Sequence, residues 1–318
     1  MARSLWKSLF GWAGRPDAES RRFGNYHLIK IVHDGEKAAV YQARSPQDGE
    51  LYAIKAYKPR YNRIADRIGR RYHVRGEGEI GMSLNTPGQG DRFYPIVRTV
   101  SYGREFGDRN KCCYIVQEFI DGLNLKNLVG REGLLTQGLR FRIAVTVARG
   151  MGIIHNRGLI HRDLCTDNIL IRGDGAPKLI DLGFMAPVGI SFREQTGTPS
   201  YMSPEQFQAK PLHPASDIYA FGVVLFELFT GELPFKSTFS PDKPDTRIRR
   251  VSELMDKHVN EPPPRPSDVR PDIPDGLDGL ILRCLAKVPV DRYGSVREIL
   301  RSLSLIQEKE GARNGASE

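Results

Sequence analysis

The chain has 318 residues, of which 40% are hydrophobic and 27% are charged, a composition typical of a globular protein long enough to bury a core. Lys and Arg outnumber Asp and Glu by 47 to 38, and the net charge of +9 favours an anionic partner without identifying it. The four cysteines form no CxxC pair, and no apolar stretch approaches the roughly 18 residues of a membrane span. The sequence therefore indicates no zinc site, disulfide framework or transmembrane segment, and it favours a reducing cytoplasm.

Residues 1–23 form an N-terminal arm that is both basic and apolar. The arm lacks the continuous apolar region and the cleavage site of a signal peptide. Helical spacing places four large apolar side chains near one face of the arm: Leu5, Trp6, Leu9 and Phe10. Residues 3–12 are therefore either a short interfacial anchor or an apolar segment packed on the protein's own surface. We expect a cytoplasmic protein, and a peripheral membrane contact stays open.

The next part of the chain has the pattern of an antiparallel sheet. Residues 26–57 contain the runs YHLIKIV, AVYQAR and LYAIKAY, which alternate or are rich in aromatic and branched residues. Residues 93–118 return to strand character and end in CCYIVQEF. Several strands in succession, separated by short turns, predict antiparallel pairing.

A basic segment at 58–86 interrupts these strands and contains a helix in its latter part. Its cations before Glu77 face one acid, Asp66, and they are Lys58, Arg60, Arg63, Arg67, Arg70, Arg71 and Arg75. Glycines at 76, 78 and 81 lie in or beside the helix, and each interior glycine costs about 1 kcal/mol relative to Ala. We therefore expect a weakly formed helix unless something holds it, for instance an anionic activator bound to residues 58–75.

Helical periodicity dominates the remaining chain. Helices are predicted at 138–156, at 217–230 and within 275–305, followed by a polar tail at 306–318. Strands first and helices afterwards predict an α+β protein with two lobes. The N-lobe, residues 24–118, is small and mainly β with one helix, and the C-lobe, residues 119–305, is larger and mainly α.

Six short segments carry the chemistry of the chain. HRDLCTDN at 161–168 places charged residues and an amide between apolar stretches, and IDLG at 180–183 puts Asp181 18 residues after Asp163. The others are AIK at 53–55, SPE at 203–205, DIYAFG at 217–222 and CLAKVPVDRY at 284–293. Together and in this order they resemble the eukaryotic-type (Hanks-type) serine/threonine protein kinase family over about residues 26–305. The resemblance implies the bilobal protein-kinase fold, with ATP as substrate and Mg²⁺ as cofactor.

The resemblance also assigns catalytic roles. Asp163 is expected to orient the substrate hydroxyl and accept its proton, because the transition state of phosphoryl transfer demands mainly positioning and cations. Lys55 is expected on the α and β phosphates, aimed by Glu77 or, as the alternative, Glu79. The oxygens of Asn168 and Asp181 are expected to hold Mg²⁺.

Nucleotide contacts follow from the same resemblance. The phosphate-covering loop VHDGEKAAV at 32–40 keeps one of the family's three glycines, Gly35, with His33 and Ala38 at the other two positions. Gln117 is expected at the back of the adenine pocket, with base contacts from the backbone between Glu118 and Ile120. The apolar residues expected around the nucleotide, which also suit core packing, are Val32, Val40, Ala53 and Leu170.

Residues 181–205 resemble an activation segment. Arg162 precedes Asp163, as in family members whose segment is positioned by a phosphate paired to that arginine. We expect Glu194 to supply part of this charge and Thr196 to be a modification site, with Ser191 as a further nearby hydroxyl. TGTPSYMSPE resembles the serine/threonine-kinase pattern, in which the hydroxyl of Thr198 contacts the catalytic Asp.

Two structural roles are also carried over. Glu205 and Arg292 match a buried ion pair of the family. Asp217 matches a helix residue that holds the catalytic loop.

Cys165 departs from the family pattern, which has Lys two residues after the catalytic Asp. Losing that cation costs on the order of 2 to 4 kcal/mol of transition-state stabilisation, by analogy with an oxyanion donor. The cysteine therefore slows the enzyme, gates it by oxidation, or fills space as an inert side chain.

The sequence favours an ATP-dependent serine/threonine protein kinase. A nucleotide-binding pseudokinase that acts as a scaffold or regulator is the first alternative, and a kinase of a small molecule on the same fold is the second.

Overall fold

A computed structural model describes residues 22–85, 94–106, 111–131, 133–194, 196–239 and 246–315. The predictions for residues 3–12 lie outside these ranges. The chain divides into two compact units, Met1–Gly90 with Val97–Asp121 and Asp91–Ile96 with Gly122–Glu318. The first is mainly sheet and the second mainly helix, as the order of the sequence patterns predicted.

The first unit is built on one antiparallel sheet with the strand order β1-β2-β3-β4-β6-β5. Its strands are β1 (Arg22–Phe23), β2 (Tyr26–Asp34), β3 (Ala38–Arg44), β4 (Leu51–Tyr57), β5 (Thr99–Phe106) and β6 (Lys111–Glu118). One face buries alternate residues of β3 and β4, among them Tyr41 and Ile54, in an apolar cluster. The opposite face pairs Val40 with Lys55. The sheet therefore separates a packed apolar side from a side that carries the lysine.

Two helices follow β4, where the sequence predicted one. α1 (Pro59–Tyr72) begins with a proline at its first position, which suits a helix start, and ends at His73 in the left-handed conformation with φ of 53°. α2 (Glu77–Leu84) begins after Gly76. The left-handed residue redirects the chain, so the basic residues and Glu77 lie on separate helices.

The glycines of α2 serve close packing on β5, which supplies the support that we expected this helix to need. A Cβ at Gly78 would lie 2.4 Å from Cβ of Tyr102, and one at Gly81 would lie 2.1 Å from Oγ1 of Thr99. Any larger residue would force the helix off the strand. The packing against β5 offsets the propensity cost of glycine, so contacts within the chain hold α2.

The second unit contains the remaining helices and two small sheets. The helices are α3 (Gln137–His155), α4 (Pro204–Phe207), α5 (Pro214–Thr230), α6 (Arg247–Asn260), α7 (Pro266–Val269), α8 (Leu277–Cys284) and α9 (Val296–Gly315). The strands are β7 (Gly122–Asn124), β8 (Leu159–Ile160), β9 (Ile169–Arg172), β10 (Pro177–Leu179) and β11 (Ala186–Pro187). They form one sheet of order β10-β9-β7 and a second pair, β11-β8.

The helix α5 lies at the centre of this unit, as its apolar sequence predicted. Every residue from Ser216 to Thr230 is buried. The helix begins with Pro214 and ends at Gly231, whose φ of 87° suits a glycine C-cap. The rest of the unit packs around this helix, which therefore fixes the positions of polar side chains that α5 carries.

The C-terminal helical region differs from its prediction in two places. Residues 275–305 form two helices, α8 and α9, with a 3₁₀ turn at Pro289–Asp291 between them. The last helix continues to Gly315, so most of the predicted polar tail is helical. In the described part of the chain, none of the helices combines the length and the apolar character needed to cross a bilayer.

Candidate active site

Lys55 and Glu77 form an ion pair on the first unit. The Lys55 Nζ lies 3.0 Å from each carboxylate oxygen of Glu77. The side chains are 16% and 4% exposed, so the pair is held away from water. Glu79 is exposed and lies 3.4 Å from Arg75, four residues earlier in the chain. The structure therefore selects Glu77 over Glu79 as the partner of the lysine.

The residues predicted around a nucleotide lie on the strands that carry Lys55. Val40 is paired with Lys55 across β3 and β4, and Ala53 is paired with Gln117 across β4 and β6. The hairpin between β2 and β3 is closed by a hydrogen bond from the Gly35 amide to the Ala38 carbonyl at 3.0 Å. A Cβ at Gly35 would lie 2.7 Å from Nε2 of His33, so the imidazole already occupies the space beside the glycine.

Gln117 carries a buried polar group at the end of this strand pair. Its side chain is 6% exposed, and its Nε2 has no hydrogen-bond partner in the described part of the chain. An unpaired buried donor costs about 1 to 3 kcal/mol, so this amide is suited to a ligand or a water molecule. The backbone amide of Glu118 donates to the carbonyl of Arg98 at 2.9 Å. Ile120 is buried, whereas Val32 on β2 is exposed.

Asp163 is the most heavily bonded carboxylate of the catalytic-loop motif in the second unit. Its Oδ1 accepts hydrogen bonds from the backbone amide and the hydroxyl of Thr198, both at 2.8 Å. Its Oδ2 accepts from Nδ2 of Asn168 at 3.2 Å. The predicted contact between Thr198 and Asp163 is therefore present, and the carboxylate is fixed in one orientation.

Asp217 of α5 holds the loop that carries Asp163, as the sequence predicted. Its two carboxylate oxygens accept from the backbone amides of His161 and Arg162 at 2.7 and 2.9 Å, and His155 lies at 2.8 Å. Burial alone would raise the pKa of Asp217, but the hydrogen bond and charge of His155 and the donors at His161 lower it below its ordinary value. The anion is therefore stable in the core, and it restrains Arg162 with φ of 68°.

The oxygens of Asn168 and Asp181 are suited to a hard cation. The side-chain amide nitrogen of Asn168 donates to Asp163. The backbone carbonyl of Asn168 accepts the backbone amide of Ile180 at 3.0 Å, which brings the two predicted metal ligands close in the fold. Asp181 receives the Gly183 amide on Oδ1 at 3.0 Å. Leu182, which replaces the family's Phe, is fully buried. Leu170 lies on β9, two residues after Asn168.

Cys165 lies two residues after Asp163, and its side chain is 1% exposed. Burial and the charge of Asp163 raise the pKa of the thiol well above its ordinary value, and the hydroxyl of Thr198 lies 3.7 Å from Sγ. A protonated, buried thiol is a poor nucleophile, which disfavours gating by oxidation. The side chain therefore supplies neither a cation nor a reactive thiolate.

Arg162 connects the catalytic loop to the activation segment. Its guanidinium donates to the hydroxyl of Thr196 at 3.0 Å and to the carbonyl of Phe184 at 3.1 Å, and it lies 3.4 Å from the ring centroid of Phe192. Glu194 and Thr196 line a pocket with Arg162 and Lys210. Ser191 is exposed. The geometry therefore brings Arg162 and Thr196 together directly and leaves Ser191 at the surface.

The comparisons with known proteins agree with this geometry. A family model described as a protein kinase domain matches residues 26–303. The chain belongs to the protein kinase family.

Several curated bacterial members of the kinase family are similar to this chain. A probable serine/threonine-protein kinase of Clostridium perfringens is 30% identical over 287 residues, which are 89% of this chain and 38% of that protein. PknB of Lactococcus lactis is 29% identical over 88% of this chain and 41% of its own length, and PknD of Mycobacterium tuberculosis is 28% identical over 87% and 39%. The chain thus spans about two fifths of the length of these relatives.

One polar cluster beside the kinase motifs was missed by the sequence analysis. Glu227 of α5 is 3% exposed and accepts hydrogen bonds from Thr166 at 3.0 Å, from the hydroxyl of Tyr201, and from Lys126 at 2.5 Å. It joins the catalytic loop to the segment that carries Thr198. The sequence did indicate a buried polar contact here, because Glu227 is a charged residue within the apolar run of 217–230.

Proposed function

We propose that this chain is an ATP- and Mg²⁺-dependent protein kinase that transfers the γ-phosphoryl group to Ser or Thr hydroxyls of proteins, itself among them. The observation that carries the proposal is the Asp163 carboxylate, fixed by three hydrogen bonds from Thr198 and Asn168 in a member of the kinase family. The names of the relatives, all serine/threonine kinases, support the acceptor class.

The proposed reaction requires a base and a cation on the phosphates. The acceptor oxygen attacks the γ-phosphorus, the bond from that phosphorus to the bridging oxygen of ADP breaks, and the hydroxyl proton passes to Asp163. Lys55, aimed by Glu77, binds the α and β phosphates. Thr198 keeps the Asp163 carboxylate in the orientation that the acceptor needs.

Asn168 and Asp181 would hold the magnesium ion. The amide nitrogen of Asn168 points to Asp163, which directs its oxygen elsewhere, and Asp181 adds a carboxylate. Such oxygens are the ligands that Mg²⁺ prefers. When bound, the ion neutralises charge on the transferred phosphoryl group.

The nucleotide is proposed to lie against the strands that carry Lys55. Backbone groups from Glu118 to Ile120 would bind the base, with the buried amide of Gln117 behind it. The remaining proposed contacts are Val32, Gly35, Val40, Ala53 and Leu170.

The Lys55 and Glu77 pair provides a selective test of the phosphate site. Glu77→Gln is expected to lower kcat/KM about 100-fold, because Lys55 loses the charge that orients it. This is the size of effect found when one transition-state contact is removed. The matched control is Glu79→Gln on the same helix, which is expected to change kcat/KM less than about threefold, because its ion pair is exposed. Steady-state kinetics with ATP and a protein acceptor check this. Equal effects of the two substitutions would contradict the assignment of Glu77.

Cys165 is proposed to limit the rate of transfer. Cys165→Lys is expected to raise kcat by about tenfold or more, because it restores a cation beside the transferring phosphate. The control is Cys165→Ala, which removes the thiol without adding charge and is expected to leave kcat within about threefold. Single-turnover kinetics measure the chemical step directly. A slower Cys165→Lys variant that still binds ATP normally would contradict the proposal.

Regulation is proposed to act through Arg162. Glu194 supplies part of the negative charge near this arginine, and phosphorylation of Thr196, which already contacts it, would add charge-assisted hydrogen bonds. Ser191 is the second candidate for modification. Glu194→Ala is expected to lower the activity of unphosphorylated protein about threefold to tenfold. Glu194→Gln keeps the size of the side chain but removes its charge, so it is expected to lower the activity equally. Unchanged activity in both variants would exclude the charge of Glu194.

A pseudokinase scaffold is the competing function, and Cys165, His33 and Ala38 are the features that favour it. The proposed function is tested by measuring ADP formation and transfer to a basic generic protein with and without Mg²⁺. Mg²⁺-dependent transfer supports a kinase. Nucleotide binding with no transfer to any hydroxyl selects the scaffold.

The finer partner assignments are also proposals. A cytoplasmic location, a peripheral membrane contact through residues 3–12 and an anionic ligand on residues 58–75 rest on sequence, and residues 3–12 lie outside the described part of the chain.

A further inference from the structure

The helix α1 carries a straight stripe of arginines on its exposed side. Separations of three, four and three residues place Arg60, Arg63, Arg67 and Arg70 within an arc of about 80°, and Arg71 widens the arc to about 100°. All five side chains are exposed. The stripe spans roughly 16 Å along the helix axis, at a rise of about 1.5 Å per residue.

The described residues do not neutralise the charge of four arginines of this stripe, Arg60, Arg63, Arg67 and Arg70. Asp66, the one acidic residue of α1, lies off the stripe and reaches Arg104 of β5 at 3.3 Å. Across the described residues, no carboxylate lies within ion-pair distance of Arg60, Arg63, Arg67 or Arg70. Four adjacent like charges repel one another, so the stripe is suited to an anionic partner outside the chain.

The other side of α1 is fixed to the sheet. Tyr61 stacks on Tyr57 of β4 with centroids 5.4 Å apart and planes at 18°, and Asn62 is 7% exposed. Ile64, Ile68 and Tyr72 are half-buried. The arginine stripe therefore faces away from the packed side of the helix, where a partner can reach it.

We propose that the arginine stripe of α1 docks this chain on an anionic lipid bilayer. The guanidinium fork binds phosphate oxygens in pairs, and a flat array of phosphate headgroups can meet all the stripe residues at once. Clusters of four to eight Lys or Arg on such a helix are typical of binding to anionic lipids. The surface is distinct from the residues assigned to phosphoryl transfer, so docking is independent of the catalytic proposal.

Vesicle binding by the full chain tests the proposal. Sedimentation is compared for vesicles of phosphatidylcholine and for vesicles in which about one third of the lipid is phosphatidylglycerol. The substitutions are Arg63→Gln, Arg67→Gln and Arg70→Gln together. They are expected to reduce partitioning to the anionic vesicles about 100-fold, because each arginine near an anionic surface contributes roughly fivefold. Substitution of the same three residues by Lys keeps the charge and is expected to retain most of the binding.

The chain offers a matched control in a second basic run, at the start of α6. Substitution of Arg247, Arg249 and Arg250 by Gln removes the same charge and is expected to change binding less than about threefold, because these residues lie outside the proposed docking stripe. The proposal is overturned if wild type shows no preference for anionic vesicles, or if both triple variants lose binding equally. Retained binding by the α1 variant, or displacement of wild type from vesicles by duplex DNA or polyglutamate at equal charge, also overturns it.

Discussion

Replacing Asp163 with Asn is expected to lower kcat by about 1,000-fold while nucleotide binding is retained. General-base catalysis contributes roughly 10² to 10⁴ in rate, and Asn cannot accept the proton of the acceptor hydroxyl. The side chain has nearly the same shape, and its remaining oxygen can still accept from Thr198. Only the longer hydrogen bond from Asn168 is lost, so most of the local structure should persist. Single-turnover transfer from ATP to a protein acceptor measures the loss, and equilibrium nucleotide binding measures what is retained.

The matched control for this substitution is Asp167→Asn in the same loop. Burial raises the pKa of Asp167, the charge of Lys126 lowers it, and the charge of Glu227 raises it. Asp167 takes no part in the hydrogen bonds of Asp163. Its substitution is expected to change kcat less than about threefold. If Asp163→Asn kept more than about a tenth of the wild-type rate, the assignment of Asp163 as base would be wrong.

Removal of the Arg292 side chain is expected to destabilise the fold by about 3 to 5 kcal/mol, as found when one partner of a buried ion pair is lost. Arg292 lies 2.7 and 3.0 Å from the two oxygens of Glu205, and neither side chain is more than 6% exposed. Its guanidinium also donates to the carbonyls of Ala286, Ala215 and Lys287. Arg292→Ala would leave the buried carboxylate of Glu205 without its cation and remove the donors to these three carbonyls. Urea unfolding of the full chain measures the change.

Two further variants separate the buried pair from a general effect of losing arginine. Arg283→Ala removes an exposed arginine 3.7 Å from Glu298 and is expected to cost less than about 1 kcal/mol. Arg292→Met combined with Glu205→Leu removes both charges and is expected to be more stable than Arg292→Ala alone, because no isolated anion remains. A loss of less than about 1 kcal/mol for Arg292→Ala would show that the pair does not stabilise this unit.

The active-site geometry could be predicted because it depends on short segments with fixed chemistry. The contact of Thr198 with Asp163, the clamp of Asp217 on the loop and the pair of Glu205 with Arg292 were all predicted from motifs and are present in the structure. In each case the residue type leaves few alternatives, because a buried charge needs a specific partner. The lobe order followed equally directly from strands preceding helices.

The parts that were not predicted depend on contacts between distant segments. Glycine propensity predicted a weak helix at Glu77, but only the structure shows that Gly81 lies against Thr99 of a strand 18 residues later. The division into α1 and α2 depends on a left-handed His73, a conformation that sequence does not reveal. The cluster of Glu227 with Thr166 and Tyr201 joins three segments that are separated by up to 61 residues. Tertiary packing, which local pattern does not encode, decides such features.

Kinase activity is tested first by transfer of γ-labelled phosphate from ATP, with Mg²⁺, to the full chain and to a basic generic protein, followed by phosphoamino-acid analysis. We expect label on phosphoserine or phosphothreonine that is lost in Asp163→Asn. Absence of label with wild type and with Cys165→Lys, while both still bind nucleotide, would exclude the proposed activity and identify a scaffold in place of an enzyme.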